Sequence, residues 1–247
     1  FVQQAEKMDL LDAKGKIVMV NGNINPTMYE NIIKAGAVGF ITFSGSVLDK
    51  EDETDIEMRT LKEEFLKFGK IPGITMRVKD AMEIVRDKAT KVKITLKQDE
   101  GECDSHNVIA EIKGTQFPEE VVTFVAHYDT VPFANGVYDN GAGTVMIMEM
   151  LRHYVENPPK RTLRFVWFGS EERGLLGSKY YVEKHEKELE NVVLLINVDM
   201  AGPIVGCDRA WVTADMSLVH MVEYLSKEIG HPIITVQDVY SSDSTIC

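Results

Sequence analysis

The chain has 247 residues, of which 44% are hydrophobic and 27% charged, so it can bury a sizeable core in one large or two modest domains. Its formal net charge of −12 argues against a nucleic-acid partner, because phosphate backbones are bound by clustered Lys and Arg that this sequence does not show. No apolar run approaches the ~20 residues that span a bilayer, and Cys103, Cys207 and Cys247 are too scattered for a disulfide framework or a Cys-x-x-Cys metal site.

The first part of the chain, residues 1–98, has the pattern of a small α/β module. Short β-like runs at residues 17–20 and 38–43 flank a predicted helix that carries Tyr29 and Ile32. Short strands separated by a single helix are typical of a compact α/β unit. We therefore expect a separate small domain here.

The rest of this module is less regular. The acidic stretch at residues 49–57 is typical of a solvated loop. A turn is predicted at residues 71–73 and a helix at residues 79–86. The module is expected to end with a strand in which three aliphatic residues alternate with other residues: Val92, Ile94 and Leu96.

The second predicted domain, residues 99–247, has longer apolar strands that alternate with amphipathic helices. Near-continuous hydrophobic runs predict three central strands, at residues 121–126, 163–168 and 192–198. Helices are predicted between them, at residues 141–155 and 174–185. Strands of this kind indicate an α/β fold with a mixed, largely parallel central sheet covered by helices on both faces.

Each central strand is followed by side chains of a metal-ligand type. The first is followed by His127 and Asp129, the second by the pair Glu171-Glu172, and the third by Asp199. Taken singly, each is more typical of a packed histidine, a turn residue or a helix cap. The carboxyl ends of parallel strands share one edge of the sheet, so these groups are expected to converge. Gathered there, they would repel and desolvate one another unless cations held them.

A fourth group lies in the sequence VYDNGAGT, where Asp139 precedes Asn140-Gly141. Alone, Asp139 would fit a turn that caps a helix equally well. Its position between His127 and Glu171 on the same face of the sheet favours a ligand. One imidazole with several carboxylates suits zinc, and a carboxylate can bridge two ions. Asp129 is placed to hold the imidazole in its metal-binding tautomer.

Three segments in this order resemble the M28 family of di-zinc aminopeptidases: HYDTVPFANGVYDNGAGT, GSEERGLLGS and NVDMAG. The run SHNVIAEIKG resembles the segment that leads into the family's first catalytic strand. At the N-terminal side, GKIVMVNGNIN, KAGAVGFITF and IPGITM resemble a protease-associated (PA) domain, which several members carry inserted near the start of the peptidase domain. The resemblance covers nearly the whole chain. It implies a zinc-peptidase fold at residues 99–247, a PA-like domain at residues 1–98 and a secreted or cell-surface location.

The resemblance also implies roles for individual residues. His127 and Asp199 would hold one zinc ion, Asp139 would bridge, and Glu172 would bind a second zinc ion. Glu171 would be the general base that takes a proton from the attacking water. The implied activity is that of an aminopeptidase that removes N-terminal residues from a peptide substrate.

Two features of the family's pattern lie further along the chain. Asp243, in YSSDST, resembles a segment that lines the substrate pocket. Family members supply the final ligand of the second zinc from a later Tyr-His motif, and this sequence stops at Cys247 before any such motif. Because it also opens on Phe1 rather than Met, we expect the chain to be truncated at both ends. The second zinc site would then be incomplete, and the natural protein would continue for another ~40 to 60 residues that close the sheet.

Three other functions remain open on the same fold. Clustered arginines in the PA-like domain would favour a carboxypeptidase of acidic peptides, and none are seen there. A single-zinc glutaminyl cyclase is disfavoured by Asp139 and by NVDMAG. An inactive receptor or binding module should have lost ligands, whereas four candidates and the base are present. The preferred N-terminal residue and the oligomeric state are left open.

Overall fold

The structure, a computed structural model, describes residues 5–44, 61, 63–97, 99, 101–131, 134–203, 205–237 and 242–247. The chain forms two compact units, residues 1–101 and 102–247. No helix in these described ranges is long and apolar enough to cross a membrane. The acidic stretch predicted as a solvated loop, residues 49–57, lies outside the described residues.

The first unit is built on a three-stranded parallel sheet. Its strands lie in the order β1 (Ile17–Asn21), β2 (Gly39–Ser44) and β3 (Gly73–Arg77). Its helices are α1 (Pro26–Lys34), α2 (Glu63–Leu66) and α3 (Val78–Arg86). Helix α1 begins where the Asn25 side chain accepts a hydrogen bond from the Met28 N–H at 2.9 Å, with Pro26 in its first turn.

Both faces of this small sheet are covered. Val18 and Val20 of β1 pack in the cluster that contains Tyr29 of α1, whereas Met19 between them packs with Ala81 of α3. Neighbouring strand residues point to opposite faces, so the two helices lie on opposite sides of the sheet. Tyr29 is fully buried, and its hydroxyl donates a hydrogen bond to the Gly69 carbonyl at 2.9 Å.

Two details of this unit differ from the sequence prediction. Residues 89–97 contain no strand, so the strand predicted there is wrong. Val92 and Leu96 are exposed. Alternating aliphatic residues form a strand only where a neighbouring strand supplies hydrogen bonds and where their side chains cover an apolar surface. Conversely, the turn predicted at residues 71–73 overlaps the start of β3 at Gly73, a short strand that the Pro-Gly signal concealed.

The second unit contains a four-stranded mixed sheet. Its strands are β4 (Val108–Ile112), β5 (Phe117–His127), β6 (Arg161–Phe168) and β7 (Val192–Asn197), arranged in the order β4-β6-β5-β7. Strand β5 pairs in parallel with β6 and β7, and β4 is antiparallel to β6. The predicted mixed, largely parallel sheet is confirmed.

Helices α4 (Ala142–Glu156) and α5 (Leu176–Leu189) cover the two faces of this sheet. Phe165 and Trp167 of β6 pack in a cluster with Ile147 of α4. Val166 and Phe168, which alternate with them, pack with Tyr181 of α5. The continuous apolar run of β6 is therefore explained by burial on both faces.

The remaining elements form a second, smaller sheet that the sequence analysis did not predict. Strands β8 (Asp208–Val212) and β9 (Ile233–Gln237) are parallel and are connected by helix α6 (Met216–Glu228). The Asp215 side chain begins α6 by accepting a hydrogen bond from the Ser217 N–H. A short 3₁₀ turn, Asp243–Thr245, follows further along the chain.

Candidate metal centre

Three parallel strands end side by side at one edge of the central sheet. In the register of the sheet, His127 at the end of β5 lies beside Phe168, the last residue of β6. Val125 of β5 lies beside Asn197, the last residue of β7. The segments that leave these strand ends carry all the candidate ligands. The edge of the sheet therefore gathers side chains that are far apart in sequence.

The centre of the site is formed by His127, Asp139 and Asp199, whose ligand atoms all lie within 4.8 Å of one another. The His127 Nε2 atom is 3.1 Å from Asp139 Oδ1 and 3.3 Å from Asp199 Oδ1. Its Nδ1 atom is 3.0 Å from the backbone carbonyl of Asp129. A carbonyl only accepts, so Nδ1 carries a hydrogen, and Nε2 is the ring nitrogen that faces the two carboxylates. Two carboxylates that face one ring nitrogen are stabilised by positive charge at this point, which either a proton on Nε2 or a bound metal ion would supply.

The pKa shifts of these groups also indicate that positive charge is favoured at this point. Burial alone would lower the pKa of His127, but hydrogen bonding to Asp129 and Asp199 outweighs burial and raises the pKa to about 11. Burial alone would raise the pKa of Asp199, but hydrogen bonds from His127 and Ser242 hold it below its usual range. A proton on His127 supplies the positive charge that stabilises the two carboxylates. A metal ion bound by all three side chains would supply that charge as well.

Asp199 is oriented by a pair of polar side chains. The Ser242 hydroxyl donates to Asp199 Oδ2 at 2.7 Å and accepts a hydrogen bond from the Asn197 side chain at 2.7 Å. This leaves Asp199 Oδ1 to face His127. Partners that fix one oxygen of a ligand are the usual support of a metal site. Sequence reasoning missed both residues, although they flank the NVD and SSD motifs.

Asp139 lies in an irregular turn, Val137–Gly141, directly before α4. The next residue, Asn140, is buried, and its side chain donates to the Val198 carbonyl at 2.9 Å and accepts from the Gly143 N–H at 3.0 Å. A Cβ atom at Gly143 would lie 2.1 Å from the same Val198 carbonyl, so only glycine fits there. The DNGAG motif thus connects the turn that carries Asp139 to the segment that carries Asp199.

The adjacent glutamates lie in the loop after β6. The two carboxylate oxygens of Asp129 accept hydrogen bonds from the backbone N–H groups of Glu171 and Glu172, at 2.9 and 3.2 Å. The nearest Asp129 carboxylate oxygen is 3.7 Å from His127 Nδ1, farther than the Asp129 carbonyl. The backbone of Asp129 therefore faces the imidazole, while its side chain holds the glutamate loop.

Burial raises the pKa of Glu171 to about 7; the charge of His127 opposes this shift, and the charge of Asp243 adds to it. Burial likewise raises the pKa of Glu172, and the next contribution comes from the charge of Asp139. The Glu172 Oε1 atom is buried and accepts no hydrogen bond from any residue that the structure describes. A proton or a cation would stabilise an unpaired buried carboxylate oxygen of this kind.

The remaining candidate, Asp243, is fully buried, and burial raises its pKa to about 6. It therefore has no surface with which to contact a substrate in this structure. Among the other histidines, His185 lies 3.0 Å from Glu188, and His231 lies 2.7 Å from Asp208. Neither belongs to the cluster of three ligands.

The fold and the cluster together define an α/β protein with a candidate metal centre outside the carboxyl ends of its parallel strands. Residues 107–243 match the description "Peptidase family M28", and the chain belongs to this family. It is 34% identical to aminopeptidase YwaD of Bacillus subtilis over 237 residues, which cover 94% of this chain and 48% of that protein. It is 29% identical to carboxypeptidase Q of Bos taurus, over 95% of this chain and 52% of that protein.

A solved structure of BSAP, a zinc aminopeptidase from Bacillus subtilis, has the same fold. Its TM-score is 0.72 at 27% identity, and the match covers 99% of this chain and 60% of that chain. The chain thus spans about half the length of the curated relatives it matches.

Proposed function

We propose that the protein is a zinc-dependent exopeptidase, an aminopeptidase that removes N-terminal residues from peptides. The observation that carries this proposal is the convergence of His127 Nε2 with one carboxylate oxygen each from Asp139 and Asp199, in a chain of a peptidase family. Relatives described as an aminopeptidase and a zinc aminopeptidase support both the reaction and the metal.

The donor set suits zinc, which accepts imidazole nitrogen and carboxylate oxygen together. His127 and Asp199 would hold one ion. Asp139 would bridge from it to a second ion at Glu172, whose pKa already responds to the charge of Asp139. When bound, zinc lowers the pKa of a coordinated water and polarises the carbonyl of the scissile peptide bond.

Glu171 would serve as the general base. Its carboxylate takes the proton from the attacking water and later passes that proton to the leaving amine as the C–N bond breaks. Burial raises the pKa of the Glu171 carboxyl, which favours its taking up a proton. Two adjacent residues can serve two roles, since neighbouring side chains point in different directions: Glu172 would hold the metal and Glu171 would accept the proton of the water.

The test is an assay with zinc-loaded protein on a panel of aminoacyl p-nitroanilides, together with metal analysis by mass spectrometry. We expect hydrolysis that chelation abolishes and added zinc restores. Blocking the substrate's amine with an acetyl group should abolish cleavage. Tight zinc binding without hydrolysis of any free-amine substrate would refute the proposal.

One observation favours a second candidate, a carboxypeptidase: the likeness to carboxypeptidase Q extends over 95% of this chain. Dipeptides separate the two activities. An aminopeptidase cleaves a dipeptide whose C-terminus is amidated and spares one whose N-terminus is acetylated, whereas a carboxypeptidase has the opposite preference.

A further inference from the structure

Residues 169–177, called the loop below, comprise the connection between β6 and α5 and the first two residues of α5. They include both glutamates, and a single side-chain amide joins the two ends of this segment. Asn107 Oδ1 accepts a hydrogen bond from the Gly169 N–H at 3.2 Å. Asn107 Nδ2 donates to the Gly177 carbonyl at 2.9 Å. Asn107 lies just before β4 and is far from the glutamates in sequence. The two bonds fix how far apart the ends of the loop lie.

Both ends of the loop are glycines because the backbones approach closely. A Cβ atom at Gly177 would lie 2.3 Å from the Gly169 carbonyl oxygen and 2.6 Å from Asn107 Oδ1. A Cβ atom at Gly169 would lie 2.7 Å from the His106 carbonyl oxygen. No side chain fits at either position. The two glycines therefore allow the ends of the loop to lie close enough for the Asn107 amide to bond to both.

Between these ends the backbone adopts conformations that need external support. Ser170 and Leu175 have φ angles of 60° and 61°, a left-handed region that residues with a Cβ atom avoid. The Ser170 hydroxyl donates to the Ser105 hydroxyl at 2.8 Å, so a second bond connects the loop to the segment before β4. The loop is thus held by Asp129 on the side of the metal centre and by residues 105–107 at its ends.

We propose that Asn107 is a positioning residue for peptide hydrolysis, which acts by holding the two ends of the loop so that the Glu171 carboxylate is directed at the metal centre. This proposal rests on the proposed function, since it takes Glu171 as the base. Asn107 touches neither the glutamate side chains nor the three clustered ligands in any described contact. Its effect would pass entirely through the backbone of the loop.

Two variants separate the hydrogen bonds from the shape of the side chain. Asn107→Asp keeps the size and the acceptor for Gly169 but loses the donor to Gly177, whereas Asn107→Ala loses both. Thr162→Val is the control: Thr162 likewise forms two hydrogen bonds through its side chain. Its hydroxyl donates to the Pro118 carbonyl and accepts from the Gly114 N–H at the opposite end of β6.

We expect kcat to fall about 10- to 100-fold in both Asn107 variants, with KM changed by less than about threefold, because the base is misplaced while substrate binding is kept. The Thr162→Val variant should lower the melting temperature and leave kcat unchanged. A wild-type kcat in Asn107→Asp would show that the bond to Gly177, and with it the connection between the two ends, does not position the base, and would overturn the proposal.

Amide hydrogen exchange of residues 169–177 in the zinc-free protein provides a readout independent of activity. Exchange across this loop should accelerate in Asn107→Asp and stay at the wild-type rate in Thr162→Val. An unchanged loop in Asn107→Asp would also overturn the proposal. If the wild-type protein hydrolyses no peptide, the proposed function fails, while exchange still decides whether Asn107 holds the loop. If Asn107→Ala does not fold, the isosteric Asp variant carries both measurements.

Discussion

Asp129 Oδ1 lies 2.9 Å from the backbone nitrogen of Glu171 and accepts its hydrogen bond. The other carboxylate oxygen accepts from Glu172, and the Asp129 carbonyl faces the His127 imidazole at 3.0 Å. One residue therefore connects the end of β5, which supplies a ligand, to the loop after β6, which supplies the proposed base. The positions of the histidine and of the glutamate pair are coupled through Asp129.

The first prediction tests this coupling with Asp129→Ala, which removes both acceptors of the loop. We expect the rate of peptide hydrolysis to fall about 10- to 100-fold and zinc affinity to weaken, because supporting partners of a metal site contribute on this scale. Asp208→Asn is a suitable control, since Asp208 also accepts a backbone N–H and pairs with a histidine, but at β8. Wild-type hydrolysis by Asp129→Ala would show that the loop holds its position without Asp129.

The second prediction concerns Glu171→Gln, which keeps the shape of the side chain and removes its ability to take a proton. Zinc content should stay at the wild-type level while kcat falls by about 10²- to 10⁴-fold, the range of general acid–base catalysis. Metal content by mass spectrometry and steady-state kinetics on the same preparation check both parts. A variant that retains zinc and turns over at the wild-type rate would exclude Glu171 as the base.

The third prediction separates the ligands from the base. Asp139→Asn should weaken zinc binding itself by more than about tenfold, because a neutral amide no longer offsets the charge of the cation. Competition with a chromophoric chelator measures the affinity. The Glu171→Gln protein is the control, since it should bind zinc normally. Unchanged affinity and zinc content in Asp139→Asn would count against Asp139 as a ligand.

The fourth prediction concerns pH. In the metal-free protein the pKa of His127 is raised from 6.5 to about 11 by the surrounding carboxylates, despite burial, which acts in the opposite direction. A pKa raised by folding stabilises the fold fully below about pH 6.5, and this contribution is lost as the pH rises toward 11. Zinc binds the neutral ring, so an ion that binds to His127 must displace this proton.

Apparent zinc affinity should therefore increase about tenfold for each pH unit between about pH 6 and pH 8. Calorimetry in two buffers of different ionisation enthalpy counts the protons released. A zinc affinity that is the same at both ends of this range would show that His127 is already neutral in the metal-free protein.

The convergence of the candidate ligands could be predicted from the sequence because these residues follow a pattern that burial imposes. Strands covered on both faces are continuous apolar runs, so a polar side chain directly after such a run stands out. Parallel strands end at one edge of the sheet, so the proximity of His127 and Asp199 can be predicted without knowing the conformations of the loops.

The supporting contacts could not be predicted in this way. Ser242 reaches Asp199, and Asn107 reaches Gly169, across long sequence separations that only tertiary structure closes. The bond from Asp129 to Glu171 uses a backbone N–H, which every residue other than proline possesses and no pattern marks. The strand predicted around Ile94 failed for a related reason, since alternation does not reveal whether a neighbouring strand is present to pair with it.

The last prediction concerns the first unit, whose assignment as a PA-like domain remains a prediction and which we expect to contain no catalytic residue. Tyr29→Phe leaves the Gly69 carbonyl without its hydrogen bond from the buried hydroxyl. This should destabilise the unit by about 1–2 kcal/mol, the usual cost of an unpaired buried polar group, and lower its melting temperature. Tyr180→Phe, at an exposed position on α5, should leave stability nearly unchanged. Zinc content and kcat should match the wild type in both variants at temperatures where they are folded. A folded Tyr29→Phe protein that had lost zinc or turnover would place part of the catalytic machinery in the first unit.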